Sequence, residues 1–204
     1  VTIQSGILAL GLSALLSSGA SAAVIAGWNF DDGDLLADAG SGTLVSNAPS
    51  LGYVDDAPGD KSLEIRGAAD NGRTLTFGLD LSNLRDLVMT FDARRNTPGF
   101  KSNTVSYSVD GGTSFTPIAT FNPSSSAFTS WTINLEDEDA IELLSDVRIR
   151  ITFDGATNPG GFARLDNVQF HATPAPEAGG ALLWLAGAMI VLSRRRLARN
   201  VTSL

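Results

Sequence analysis

The chain carries a single histidine, His171, no cysteine and 22 carboxylates, so carboxylate chemistry dominates what it can do. Without thiols it has no disulfide framework, no thiolate metal site and no cysteine nucleophile. One imidazole cannot build a polyhistidine metal centre, and a Ser-His-Asp triad would have to use His171 at the end of the last strand-like segment. A glycosidase needs only two carboxylates about 5–10 Å apart, yet no local motif singles out such a pair. The run Glu136-Asp137-Glu138-Asp139 reads as a solvated, cation-attracting loop, and the chain is read as a non-enzyme. Residues 23–176 hold ten Lys/Arg against twenty-one Asp/Glu, a net charge of −11. A body that acidic is repelled by phosphate backbones, which excludes nucleic acid as a partner and favours divalent cations.

The elements that must position these groups are strands. Val147, Ile149, Ile151 and Phe153 alternate with Arg148, Arg150, Thr152 and Asp154, the period of a half-buried strand. Leu87, Met89 and Phe91 alternate with Val88, Thr90 and Asp92, and Val105, Tyr107 and Val109 with Thr104, Ser106 and Ser108. Leu75, Phe77, Leu79 and Trp131, Ile133, Leu135 follow the same rule. With segments 24–30, 62–66, 113–121 and 162–170 this predicts about nine strands joined by turn residues. One helical segment competes, EDEDAIELLSD at 136–146, where the Ile141 and Leu144 spacing allows a turn or two. Strands apolar on one side and polar on the other belong in an all-β, two-sheet antiparallel β-sandwich over residues 24–172. A jelly roll is the preferred topology, with an immunoglobulin-like arrangement of fewer strands as the alternative.

Both ends read as processing signals. Ile7 to Leu16 is apolar and is followed by Ala20-Ser21-Ala22, the small-residue site of a signal peptide over residues 1–22, cut by signal peptidase after Ala22 or Ala23. Ala178 to Ser193 is an uncharged run, slightly short of the ~17–25 residues of a spanning helix, and snorkelling arginines extend it. Arg194, Arg195 and Arg196 then lie on the cytoplasmic side and leave the body outside. The order of Pro176-Glu177, an apolar helix at about 178–193 and Arg194–Arg196 resembles the PEP-CTERM sorting signal of Gram-negative bacteria. Ala178 stands where the second proline is usual. The resemblance implies that residues 173–204 are a sorting tail, a temporary anchor cut by an exosortase-type protease on the way to the cell surface. A plain membrane anchor is the alternative.

Two stretches of the body also resemble known motifs. VSYSVDGGTSFTPIAT is a hairpin around Asp110-Gly111-Gly112, and Ser108, Asp110 and Gly112 are similar to an Asp box, with Ser114 and Phe115 in place of its Thr and Trp. Such boxes are folded turns and imply no catalysis. AGWNFDDGD (26–34) and FARLDNVQF (162–170) resemble the first and last strands of carbohydrate-binding jelly rolls, whose acidic residues help hold a structural calcium. The resemblance implies Ca²⁺ as cofactor, with Asp31, Asp32 and Asp166 among its ligands. Calcium takes about six to eight oxygens from carboxylates and carbonyls, which those residues supply in part if the two strands lie side by side.

A glycan platform needs exposed aromatic faces with polar groups beside them. Tyr53, Phe100, Phe128 and Phe162 fall in loop-like contexts, and Arg94, Arg95, Arg148 and Arg150 point away from the apolar phase of their strands. The expectation is an exported surface or extracellular-matrix β-sandwich with a structural or adhesive role, meeting exopolysaccharide. The alternative is a calcium-stabilised carbohydrate-binding module.

Overall fold

The computed structural model describes residues 21–176 as two antiparallel sheets facing each other across one core. The signal-peptide residues 1–20 and the tail from Glu177 onward, with its apolar run and Arg194–Arg196, lie outside the described residues. Among the described residues no helix is long and apolar enough to cross a membrane.

Twelve strands form: β1 Ala23–Trp28, β2 Ala39–Gly40, β3 Thr43–Ser46, β4 Leu51–Ala57, β5 Asp60–Arg66, β6 Arg73–Leu79, β7 Leu84–Arg95, β8 Asn103–Ser108, β9 Thr116–Phe121, β10 Thr129–Leu135, β11 Val147–Phe153 and β12 Phe162–Pro174. The first sheet runs β10-β7-β12-β1-β2, with β5 also on β12 and β4 on β5; the second runs β3-β6-β11-β8-β9. From β5 onward the chain passes repeatedly between the sheets, which is the jelly-roll pattern expected from the sequence.

Alternation decides which side chains meet in the middle. In β11, Val147, Ile149, Ile151 and Phe153 are fully buried while Arg148, Arg150 and Thr152 face outward. In β7, Leu87, Met89, Phe91 and Ala93 do the same. Trp28 of β1 meets Phe77 of β6 edge-on at 5.1 Å and Phe170 of β12 at 6.1 Å, joining the sheets through one aromatic cluster. Its indole N–H donates to the Leu35 carbonyl at 3.1 Å. Edge-on aromatic pairs add about 0.5–1.5 kcal/mol each beyond the area they bury.

The helical expectation at 136–146 shrinks to a three-residue 3₁₀ turn, Asp139–Ile141. Ile141 alone plugs the core there, and Leu143 and Leu144 are exposed. Six carboxylates in that stretch leave too little apolar surface to hold a longer helix against a sheet. Phe100 also departs from its expected exposure: it is buried against Phe153, ring centres 5.9 Å apart. Val109 lies beyond β8, which stops at Ser108 because the next residue pair opens the turn.

That turn behaves as the Asp-box resemblance implies. The Asp110 carboxylate accepts from the Ser108 hydroxyl, the Thr113 and Ser114 amides and the Ser114 hydroxyl, at 2.5–3.0 Å. Those donors, Ser114 foremost, hold the carboxyl well below the usual carboxylate range. The turn brings Phe115 down on the outer face of the second sheet, where its ring centre sits 3.6 Å from the Arg150 guanidinium.

Candidate functional site

The outer face of the first sheet is built in register across β10, β7, β12 and β5. Its middle rows align Thr132, Thr90 and Gln169, then Ser130, Asp92 and Asp166. The next row aligns Arg94, Arg164 and Glu64, and the last sets Phe162 beside Arg66. Each of these residues is on the polar phase of its strand, so the sheet displays polar groups outward because its apolar ones are committed to the core.

Around Thr90 the short side chains leave a hollow of ≈ 260 Å³, lined by Asp92, Ser130, Thr132, Asn167 and Gln169 among others. Ser130 donates to Asp92 at 2.5 Å, and Asn167 donates to its other oxygen at 3.2 Å. Hydroxyls, amides and a carboxylate are the groups that exchange hydrogen bonds with sugar hydroxyls. A second hollow of ≈ 420 Å³ opens at the sandwich edge between β9 and β10, beside the half-buried Trp131, with Lys101, Thr104, Thr120 and Asn122 on its walls.

Beyond Asp92 the face ends in an aromatic–arginine cluster. The guanidinium carbons of Arg164, Arg66 and Arg94 lie 4.7, 5.5 and 5.6 Å from the Phe162 ring centre, and Arg94 lies 5.7 Å from that of Phe128. Glu64, only 5% exposed, accepts from Arg66 Nε at 2.7 Å on one oxygen and from Arg164 Nε at 2.8 Å on the other. Arg164 Nη1 also donates to Asp56 at 2.5 Å. The start of β12 is held for this purpose by close approach of the 96–100 loop. A Cβ on Gly99 would fall 2.0 Å from the Phe162 carbonyl oxygen, and one on Gly161 2.3 Å from that of Pro98. Only glycine fits at either position.

The acidic residues gather at a junction in the same sheet. β12 pairs with β5 over 162–165 and with β1 from Val168 onward, and a bulge at Asp166-Asn167, with Asn167 at φ 50°, spans the change of neighbour. The gap is closed by Lys61, whose amide donates to Asp31 Oδ1 at 2.9 Å and whose ammonium donates to the Asp31 carbonyl at 2.7 Å. Asp166 is 9% exposed and accepts the Asn167 amide at 2.7 Å. Burial first, then the charges of Asp60, Asp31 and Asp92, push its carboxyl up to about 6, although the Asn167 amide pulls the other way. The charges of Asp31, Asp60 and Asp92 thus reach Asp166, while Asp31 is held by Lys61. Asp32 lies instead with Asp34 near Tyr53, whose hydroxyl is raised by burial and by those two charges.

At this junction the Asp166 carboxyl is buried at the expense of its charge. Among the described residues no three carboxylate or imidazole side chains converge as a metal cage.

No protein-family model and no curated protein sequence matches the chain. Solved structures do, by fold. The CBM22-1 xylan-binding domain of Paenibacillus barcinonensis Xyn10C superimposes with a TM-score of 0.54 at 9% identity, over 78% of this chain and 100% of that one. The CBM22-1-CBM22-2 tandem domain of the same protein gives 0.55 at 10% identity, over 78% and 49%. The CBM22-1-GH10 modules of Clostridium thermocellum Xyn10B, complexed with xylohexaose, give 0.51 at 14% identity, over 75% and 29%. The chain shares the two-sheet jelly-roll fold of these carbohydrate-binding modules.

Proposed function

We propose that this is an exported polysaccharide-binding module with a structural or adhesive role at the cell surface or in its matrix. The observation that carries the reading is the outer face of the first sheet, where a hollow lined by hydroxyls, amides and Asp92 runs into the Phe162–arginine cluster. The second sheet offers less: its central Arg150 is already capped by Phe115. The jelly-roll fold supports the reading without naming a ligand. Binding here requires no chemical step.

Filling the hollow tests this. Thr90→Trp, at an outward position between Thr132 and Gln169, abolishes retention of the protein in polysaccharide-containing native gels and leaves its melting temperature within a few degrees. Unchanged retention would remove the face from consideration.

Calcium at the junction, held by Asp31 and Asp166 with carbonyl help and with Asp32 nearby in sequence, is part of the proposal. So is export by signal peptidase and sorting through the tail carrying Pro176, Glu177 and Arg194–Arg196. The intact mass of the mature protein from its native host is expected to end near Pro176-Glu177; a mass that runs through to Leu204 rejects exosortase-type cleavage and leaves a plain membrane anchor.

A further inference from the structure

The cluster at the end of the first sheet carries charge opposite to that of the molecule around it. Residues 23–176 have a net charge of −11, yet three guanidinium groups lie within 5.6 Å of the centre of one phenyl ring. Like charges that close repel, and two devices hold them. The negative face of the Phe162 ring attracts each cation. Glu64 and Asp56 neutralise two of the three.

Their commitments are unequal. Arg164 is 12% exposed in its side chain and is bonded to both Glu64 and Asp56. Arg66 gives Nε and Nη2 to the same Glu64 oxygen, and 48% of its side chain remains exposed. Arg94 makes no side-chain hydrogen bond among the described residues. Its ion-pair partner, Asp56 Oδ1, is 3.7 Å away and already accepts from Arg164 at 2.5 Å. Arg94 Nε is buried without an acceptor and 28% of its side chain is exposed, so the cluster keeps one net positive charge and the terminal Nη donors of Arg94 for a ligand. Along β7 the Arg94 and Asp92 side chains share the outer face, about 7 Å apart, so the cluster is continuous with the polar hollow.

We infer that Arg94 and Arg66 select an anionic polysaccharide, taking the carboxylate of a uronate unit while the hollow receives the hydroxyls of its neighbours. A planar guanidinium matches a carboxylate with two parallel hydrogen bonds. Phe162 and the Glu64–Arg164 pair fix the two forks before the ligand arrives, which lowers the ordering cost of binding. The body's negative charge repels a polyanion elsewhere and so confines it to this end. This inference rests on the polysaccharide-binding reading above and adds the class of ligand to it.

The full-length chain is titrated with alginate, a polyuronate, and with neutral mannan, following heat release and gel retention. Alginate binds, and its affinity falls steeply as sodium chloride is raised. Arg94→Gln and Arg66→Gln each weaken it about tenfold or more, the size of a lost charge-assisted bond. Arg94→Lys, which keeps the charge without the fork, falls between. Arg148→Gln, the same change of charge on the other sheet, has no effect. Thermal melts show that each variant is folded. Alginate affinity equal in the Arg94→Gln and Arg148→Gln variants overturns the inference, as does retention by mannan alone. In the second case the binding reading stands, provided Thr90→Trp abolishes it; retention by neither polysaccharide removes both.

Discussion

Glu64→Gln lowers the stability of the domain by about 3 kcal/mol and removes polyuronate binding with it. Among the described residues Glu64 is the acceptor that Arg66 and Arg164 share, one through each carboxylate oxygen. It sits on β5 opposite Arg164 of β12, nearly sealed from solvent. A glutamine in that position turns an NH₂ group toward one of two arginine donors, so either the buried Arg164 is left with Asp56 alone or the half-exposed Arg66 with solvent. Breaking a buried pair from one side costs about 3–5 kcal/mol, and the exposure of Arg66 places this case at the lower end. For a domain of this size the melting temperature drops by roughly 6–12 °C. The double variant Glu64→Leu with Arg164→Leu is expected to recover most of that stability, because neither charge then remains to be buried, and to bind no better. A calorimetric melt and an alginate titration read the two effects separately. A Glu64→Gln protein with wild-type melting would show that water already shares this pair.

How much of this was legible before the structure depends on sequence distance. The β11 alternation from Val147 to Phe153 names its own inward and outward faces, and Leu87 to Phe91 does the same for β7. Strand β4 is not legible in the sequence, because Leu51–Ala57 pairs with β5 at the sheet edge with no residue fully buried and so shows no alternating burial to read. Arg94 reads as outward-facing from its strand's alternation, whereas no motif marks Arg66, Arg164, Glu64 or Asp56. Ser62, Glu64 and Arg66 do alternate with Leu63 and Ile65, and that was the available signal. What the sequence does not contain is the register that lays Glu64 beside Arg164 and Arg66 beside Phe162. The junction repeats the lesson. Asp31 and Asp166 were paired by likeness to terminal strands, but Asp60 and Asp92 enter only because β12 changes neighbours at a bulge. Such a change depends on three strands at once.

At that bulge, Asp166→Asn is expected to change the sign of its effect with calcium. Without the ion, at neutral pH, the wild-type domain buries an ionised carboxylate among Asp60, Asp31 and Asp92. Its carboxyl is raised from 3.8 to about 6; at ~1.4 kcal/mol per unit, reduced for residual solvent access, this opposes folding by about 1–2 kcal/mol. The direction follows from linkage. Below about pH 4 the group is protonated folded or unfolded and the penalty is absent. It grows between about pH 4 and 6 and is complete above that, so wild-type stability falls as pH rises through this window. Asparagine keeps an acceptor for the Asn167 amide without the charge, so in chelator the variant melts higher than wild type at pH 7 and equally at pH 3.5. Calcium reverses the order. An ion bound only to the folded state at a hundred times its dissociation constant adds about 2.7 kcal/mol, and the wild type gains this while the variant does not. The swing between the two conditions is then about 4 kcal/mol, wide enough to read from paired melts. A higher-melting variant in chelator that stays higher in calcium would keep the buried charge and dismiss the ion. Equal melting of variant and wild type at pH 7 in chelator would mean that Lys61 already neutralises the junction.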